Sequence, residues 1–102
     1  MTGISEETAD FRAGAKPIIL GPTIINRLSR LTFTIENAGA SGSIKIFDIH
    51  GRMIKDLGSR TVNAPVAWSL DDESGNRAAA GIYFIRYESG KTAATHKLII
   101  TD

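Results

Sequence analysis

The sequence predicts an all-β antiparallel sandwich of about seven short strands. Three observations point to that class. Apolar residues alternate with polar ones over several short stretches, as they do on half-buried strands. Clusters of Gly, Asn, Asp, Ser and Pro break these stretches at roughly 8–12-residue intervals. No segment sustains a convincing helical period. With 102 residues, the chain suits one domain with a modest core.

Residues 1–15 are polar, contain Gly3 and Gly14, and read as a linker or flexible N-terminus. A helical turn over Glu6–Phe11 is too short to stand alone. The domain is expected over residues 16–102. Pro17–Leu20 reads as an edge strand closed by Gly21-Pro22. Arg30–Glu36 alternates cleanly, with Leu31, Phe33 and Ile35 on one face. A loop follows over Asn37–Gly42. Next, Ile44, Ile46 and Asp48 share one strand face, and Lys45, Phe47 and Ile49 the other. At His50-Gly51 the chain turns, because Gly51 tolerates positive φ and Asp48 is placed to accept hydrogen bonds from turn amides. Arg52–Leu57 returns, and Gly58–Asn63 reads as a second loop. Ala64–Leu70 directs Val66, Trp68 and Leu70 inward. Asp71–Asn76 is turn sequence. Gly81–Glu88, rich in aromatic and β-branched residues, is the strongest strand. Ser89-Gly90-Lys91 turns into a last strand over Ala94–Thr101. Seven strands within residues 16–102 favour an immunoglobulin-like sandwich.

Composition narrows the function classes. Lys plus Arg number 12 against 11 for Asp plus Glu, a net charge of +1. That balance offers no electrostatic pull toward nucleic acid or an anionic membrane. Without cysteine, there is no disulfide, thiolate metal site or cysteine nucleophile. No apolar run approaches the roughly 18 residues that span a bilayer, so no membrane insertion is expected. The first residues do not read as a signal peptide.

Candidate chemistry is sparse. His50 and His96 fall in a turn and a strand with no sequence reason to meet. There is no nucleophile elbow, phosphate loop or dinucleotide fingerprint. No catalytic residue and no cofactor is therefore expected. Asp71, Asp72, Glu73 and Asn76 are oxygen-rich enough to be weak calcium candidates, although ordinary turn chemistry uses the same residues. Trp68, Tyr83, Phe84 and Tyr87 could make a sugar-stacking platform, but Trp68 alternates in phase with Val66 and Leu70 and reads as core.

The order of features resembles a known group. The hairpin I-K-I-F-D-I-H-G-R-M-I is similar to the "I-Y-D-x-x-G-R-x-V" hairpin of immunoglobulin-like domains at the C-termini of secreted bacterial proteins. The segment from Trp68 to Tyr83 resembles their "W-D-G-x-D-x-x-G-x-x-x-A-x-G-x-Y" pattern, and the ending Thr95–Ile100 their closing "T-x-K-hydrophobic" strand. Two related families share this pattern: the type IX secretion C-terminal sorting domain, and the module named for the flagellar hook-capping protein. The chain departs from it in three places. Gly21-Pro22-Thr23 stands where Pro-Asn-Pro is usual, Ser69-Leu70 stands where Asp-Gly is expected after Trp68, and Val62–Pro65 lacks the usual glycine.

The resemblance implies a non-catalytic C-terminal domain of a larger secreted protein. It implies recognition by outer-membrane secretion machinery, then release or attachment to cell-surface components. Asp48, Gly51, Arg52, Trp68, Asp72, Gly75, Gly81 and Tyr83 become structural motif residues, with Gly81 allowing close backbone approach. Lys97, Leu98, Ile99 and Ile100 become a candidate recognition strand able to add to a partner's sheet. The expected partners are that machinery or surface and the upstream domain of the same precursor, with no nucleic acid. The alternative is a structural spacer or weak carbohydrate-binding accessory module of an extracellular enzyme.

Overall fold

The computed structural model describes residues 16–37, 41–61, 64–90 and 92–102. The expected linker over residues 1–15, the helical turn within it and Lys91 lie outside them. Eight strands are present among the described residues: β1 Ile18–Leu20, β2 Ile24–Asn26, β3 Leu31–Glu36, β4 Ser41–Asp48, β5 Met53–Thr61, β6 Val66–Trp68, β7 Gly81–Ser89 and β8 Thr92–Thr101. They form a three-stranded sheet in the order β1-β3-β6 and a five-stranded sheet in the order β2-β8-β7-β4-β5. One apolar cluster joins them. Leu31, Phe33, Ile35, Val66 and Trp68 enter it from the smaller sheet, and Ile44, Ile46, Ile85, Tyr87, Leu98 and Ile100 from the larger. The fold is thus an all-β sandwich-like domain, and the alternation in β3, β4 and β7 is what closes it.

Four expectations are corrected. The loop expected over 58–63 is strand as far as Thr61, because β5 keeps pairing with β4 across two irregularities in the ladder. Bulges of this kind absorb an extra residue without ending a strand. The loop expected over 37–42 likewise gives way to strand at Ser41. A strand is added at Ile24–Asn26, and it runs parallel to β8, Ile24 beside Ile99 and Asn26 beside Thr101. The larger sheet is therefore mixed, not purely antiparallel. Finally, the stretch Ala64–Leu70 is strand only over Val66–Trp68.

Two described glycines are required by space: a Cβ on Gly21 would lie 2.8 Å from Phe33 Cβ, and Gly42 is the tighter of the two. A Cβ on Gly42 would lie 2.5 Å from the Glu88 carbonyl oxygen and closer still to Tyr87 Cε1. Tyr87 is fully buried, and backbone cannot step aside cheaply. Gly42→Ala is expected to cost about 1–3 kcal/mol of stability through overpacking, measured by urea denaturation. A variant as stable as the parent would show that the ring has room to move.

Candidate functional site

The motif residues build two copies of one turn. In the first, the Gly51 amide donates to the Asp48 carbonyl at 3.0 Å and the Asp48 amide to the Arg52 carbonyl at 2.9 Å. Asp48 Oδ1 accepts from the amides of His50 at 2.9 Å and Arg52 at 3.0 Å. In the second, the Gly75 amide donates to the Asp72 carbonyl at 3.1 Å and the Asp72 amide to the Asn76 carbonyl at 2.8 Å. Asp72 Oδ1 accepts from the amides of Ser74 and Asn76, each at 2.9 Å. Gly51 and Gly75 have φ of 82° and 88°. Each unit is a tight turn in which a glycine in left-handed backbone is followed by a residue that pairs back to the aspartate. The spacing Asp-x-x-Gly-x follows directly: carboxylate at the first position, left-handed residue at the fourth.

The two turns meet around Trp68. Asp48 stands opposite Tyr83 in the β4–β7 register. The Tyr83 ring lies edge-on to Trp68, centroids 6.5 Å apart and planes at 69°, a favourable arrangement for two quadrupoles. Trp68 Nε1 donates to the Asp71 carbonyl at 2.9 Å, and Tyr83 Oη to the Ala79 carbonyl at 2.7 Å. The second turn also docks on the outer strand β5: the Glu73 amide donates to the Ile54 carbonyl, and the Asp56 amide to Glu73 Oε2 at 2.6 Å. Gly81 has φ of 153°, and no atom lies within 4 Å of where its Cβ would sit. Positive φ, not close backbone approach, is therefore what calls for glycine there.

Burial raises the Asp48 carboxyl, but hydrogen bonds from the Arg52 and His50 amides and from the Arg52 side chain outweigh it and hold the group below its ordinary value of 3.8. Arg52 Nε reaches Asp48 Oδ2 at 2.9 Å, yet the arginine side chain is 76% exposed. Solvent weakens that ion pair, so the turn amides do most to position the carboxylate. Burial and then the negative charge of Asp48 push the Tyr83 phenol above its ordinary value, partly offset by the bond to Ala79.

The sign of the pH effect follows. A carboxyl with depressed folded pKa contributes stability that is present above its unfolded pKa and lost as pH falls through the folded value. Asp48→Asn is expected to lower the melting temperature by several degrees at pH 7. The gap to the parent should close progressively as the pH falls below 3.8, the ordinary value for this group. Thermal melts from pH 7 to pH 2 test this, and a gap that widens in acid would overturn it.

Three of the four weak calcium candidates, Asp71, Asp72 and Glu73, have side chains otherwise engaged. Asp71 Oδ2 pairs with Lys55 Nζ at 3.3 Å, Asp72 Oδ1 holds two amides, and Glu73 Oε2 holds a third. Among the described residues no group of three or more His, Asp or Glu is placed to hold a metal. The aromatic platform is corrected as well. Trp68, Tyr83 and Tyr87 are 1%, 7% and 0% exposed, because all three point between the sheets. Of the four platform residues, only Phe84 lies on an outer face. The candidate recognition strand divides: Leu98 and Ile100 are core, whereas Lys97 and Ile99 face outward. Nor is it an edge near its end, since β2 pairs with it from Ile99 to Thr101.

A family model for the secretion system C-terminal sorting domain matches residues 29–101, most of the chain and both turns. The chain belongs to the secretion system C-terminal sorting domain family. A similar solved structure is that of PorZ, described as an essential bacterial surface component of the type IX secretion system of Porphyromonas gingivalis. It is 26% identical over 71% of this chain, with a TM-score of 0.56. The chain spans only 9% of PorZ. A CARDB domain of PF1109 from Pyrococcus furiosus overlaps 83% of this chain and 90% of its own length, at 12% identity and a TM-score of 0.48. No curated protein matches. A type IX sorting domain is a targeting module that engages the secretion machinery and marks proteins secreted by bacteria or attached to their surface. Within the sorting domain, the residues shared with the family pattern are mostly turn and core residues, with Thr95 and Lys97 exposed on β8.

Proposed function

We propose that residues 16–102 form a non-catalytic, immunoglobulin-like module that routes a larger precursor through the type IX system. On this reading an upstream domain of the same precursor carries whatever activity the whole protein has. The observation that carries it is the family match over residues 29–101. Its support from the fold is that Asp48, Trp68, Asp72 and Tyr83 make their hydrogen bonds within the turns, to amides, carbonyls and the Arg52 side chain, so that these motif residues serve the architecture. Catalysis needs a nucleophile, base or electrophile brought together in a cleft. A sorting signal needs only a stable shape.

The test is to fuse the full 102-residue chain to the C-terminus of a reporter in a type IX-competent host. Export of the folded reporter to the surface or medium is expected. Retention inside the cell, while a known sorting domain exports the same reporter, would overturn the proposal.

A further inference from the structure

The outward face of the five-stranded sheet carries two adjacent apolar rows. The cross-strand register places Met53, Phe47, Phe84 and Lys97 in one row. Ile82, Ile99 and Ile24 make the next. Met53 and Ile24 are 47% and 61% exposed, and the other apolar members are half-buried against one another. Strands lie about 4.8 Å apart and same-face neighbours about 7 Å apart, so the rows merge into a patch roughly 20 Å long. Contiguous apolar patches bordered by polar residues mark interaction surfaces. The smaller sheet offers no such patch: there the outward Ile18 and Leu20 sit opposite Glu36 and Thr34.

Charge borders the patch on one side. Asp56, Lys45, Arg86 and Thr95 form the neighbouring row. Arg86 is neutralised by Glu88 at 2.9 Å, and Asp56 Oδ1 accepts from the Gly58 amide at 2.8 Å. Among the described residues, no ion pair forms on Lys45 or Lys97. Lys97 continues the row that holds Phe84. We propose that this face is where the secretion machinery docks, through a protein surface with an apolar centre and carboxylates set against Lys45 and Lys97. This rests on the sorting reading above. A second copy of the chain would set Lys45 and Lys97 against an identical face whose acids are already engaged, Asp56 by the Gly58 amide and Glu88 by Arg86, and two unpaired lysines are too few for the polybasic attraction that holds proteins on anionic lipid.

The reporter fusion with Lys45→Glu and Lys97→Glu together tests it. Export is expected to fall about tenfold or more, as charge reversal at an interface does, with a melting temperature close to the parent's because both side chains lie on the surface. Lys45→Arg with Lys97→Arg should keep export, and so should Glu36→Lys on the other sheet. Parental export by the reversed, folded variant would overturn the docking face while leaving the sorting function intact. Failure of the parent fusion itself would remove both. Two further results would also overturn the proposal. A concentration-dependent dimer abolished by the reversal would assign the face to a second copy, and co-sedimentation with phosphatidylglycerol vesicles abolished by it would assign the face to lipid.

Discussion

Trp68→Ala is expected to lower stability by about 3–5 kcal/mol, the range for removing a large aromatic from a core. Three losses combine. The ring is 1% exposed, so a cavity opens between the sheets. The edge-on contact with Tyr83 disappears. The Asp71 carbonyl loses its donor just where the second turn begins. Domains of this size have a total stability of roughly 5–15 kcal/mol, so the variant sits near the unfolding threshold, with a melting temperature lower by more than about 10 °C. Trp68→Phe separates the terms: it refills most of the volume but leaves the carbonyl unpaired, at about 1–3 kcal/mol. Circular dichroism melts of the three proteins check the ranking. Loss of under about 1 kcal/mol for alanine would mean that the ring is not part of the core.

Leu70 is expected to invert a familiar order. In most buried extended positions glycine is worse than alanine by about 0.5–1 kcal/mol. Leu70, however, has φ of 60°, left-handed backbone that costs a residue with a Cβ roughly 1–2 kcal/mol. Its side chain is fully buried, and its carbonyl accepts from the Ala78 amide at 2.7 Å, which pins the conformation. Leu70→Ala keeps the strain and loses the packing, at about 2–5 kcal/mol. Leu70→Gly loses the same packing but releases the strain, and should be the more stable of the two by about 1 kcal/mol. Urea midpoints at matched slope decide it, and a glycine variant weaker than alanine would show that the backbone relaxes there. The resemblance places a glycine at this position. Here buried leucine packing offsets the strain that glycine would have avoided.

Strands whose faces differ in polarity were legible from residue type alone. Leu31, Phe33 and Ile35 alternate with Thr32, Thr34 and Glu36, and a one-residue slip would expose all three. The two turns were legible as well, since Asp and Gly at fixed offsets carry their own backbone chemistry. What escaped was set by tertiary pairing. Ile24-Ile25-Asn26 is too short to show a period, and only a vacant edge on β8 makes it a strand. Gly58 reads as a loop residue, yet the β4 ladder carries the chain past it. At the candidate site, a last strand over Ala94–Thr101 was legible, but residue type alone could not say which of its faces meets the other sheet. The outward apolar rows were illegible for a related reason: Phe47, Phe84 and Met53 become neighbours only through register between separate strands.

Pairing of β2 with β8 has a kinetic consequence. Ile24 meets Ile99 across nearly the whole described chain, the kind of long-range closure whose entropy must be met before any contact repays it. Folding that depends on such contacts is slow. A growing polypeptide leaving the ribosome cannot complete this sheet until its final strand has emerged, so the native state forms only after synthesis of the domain has finished.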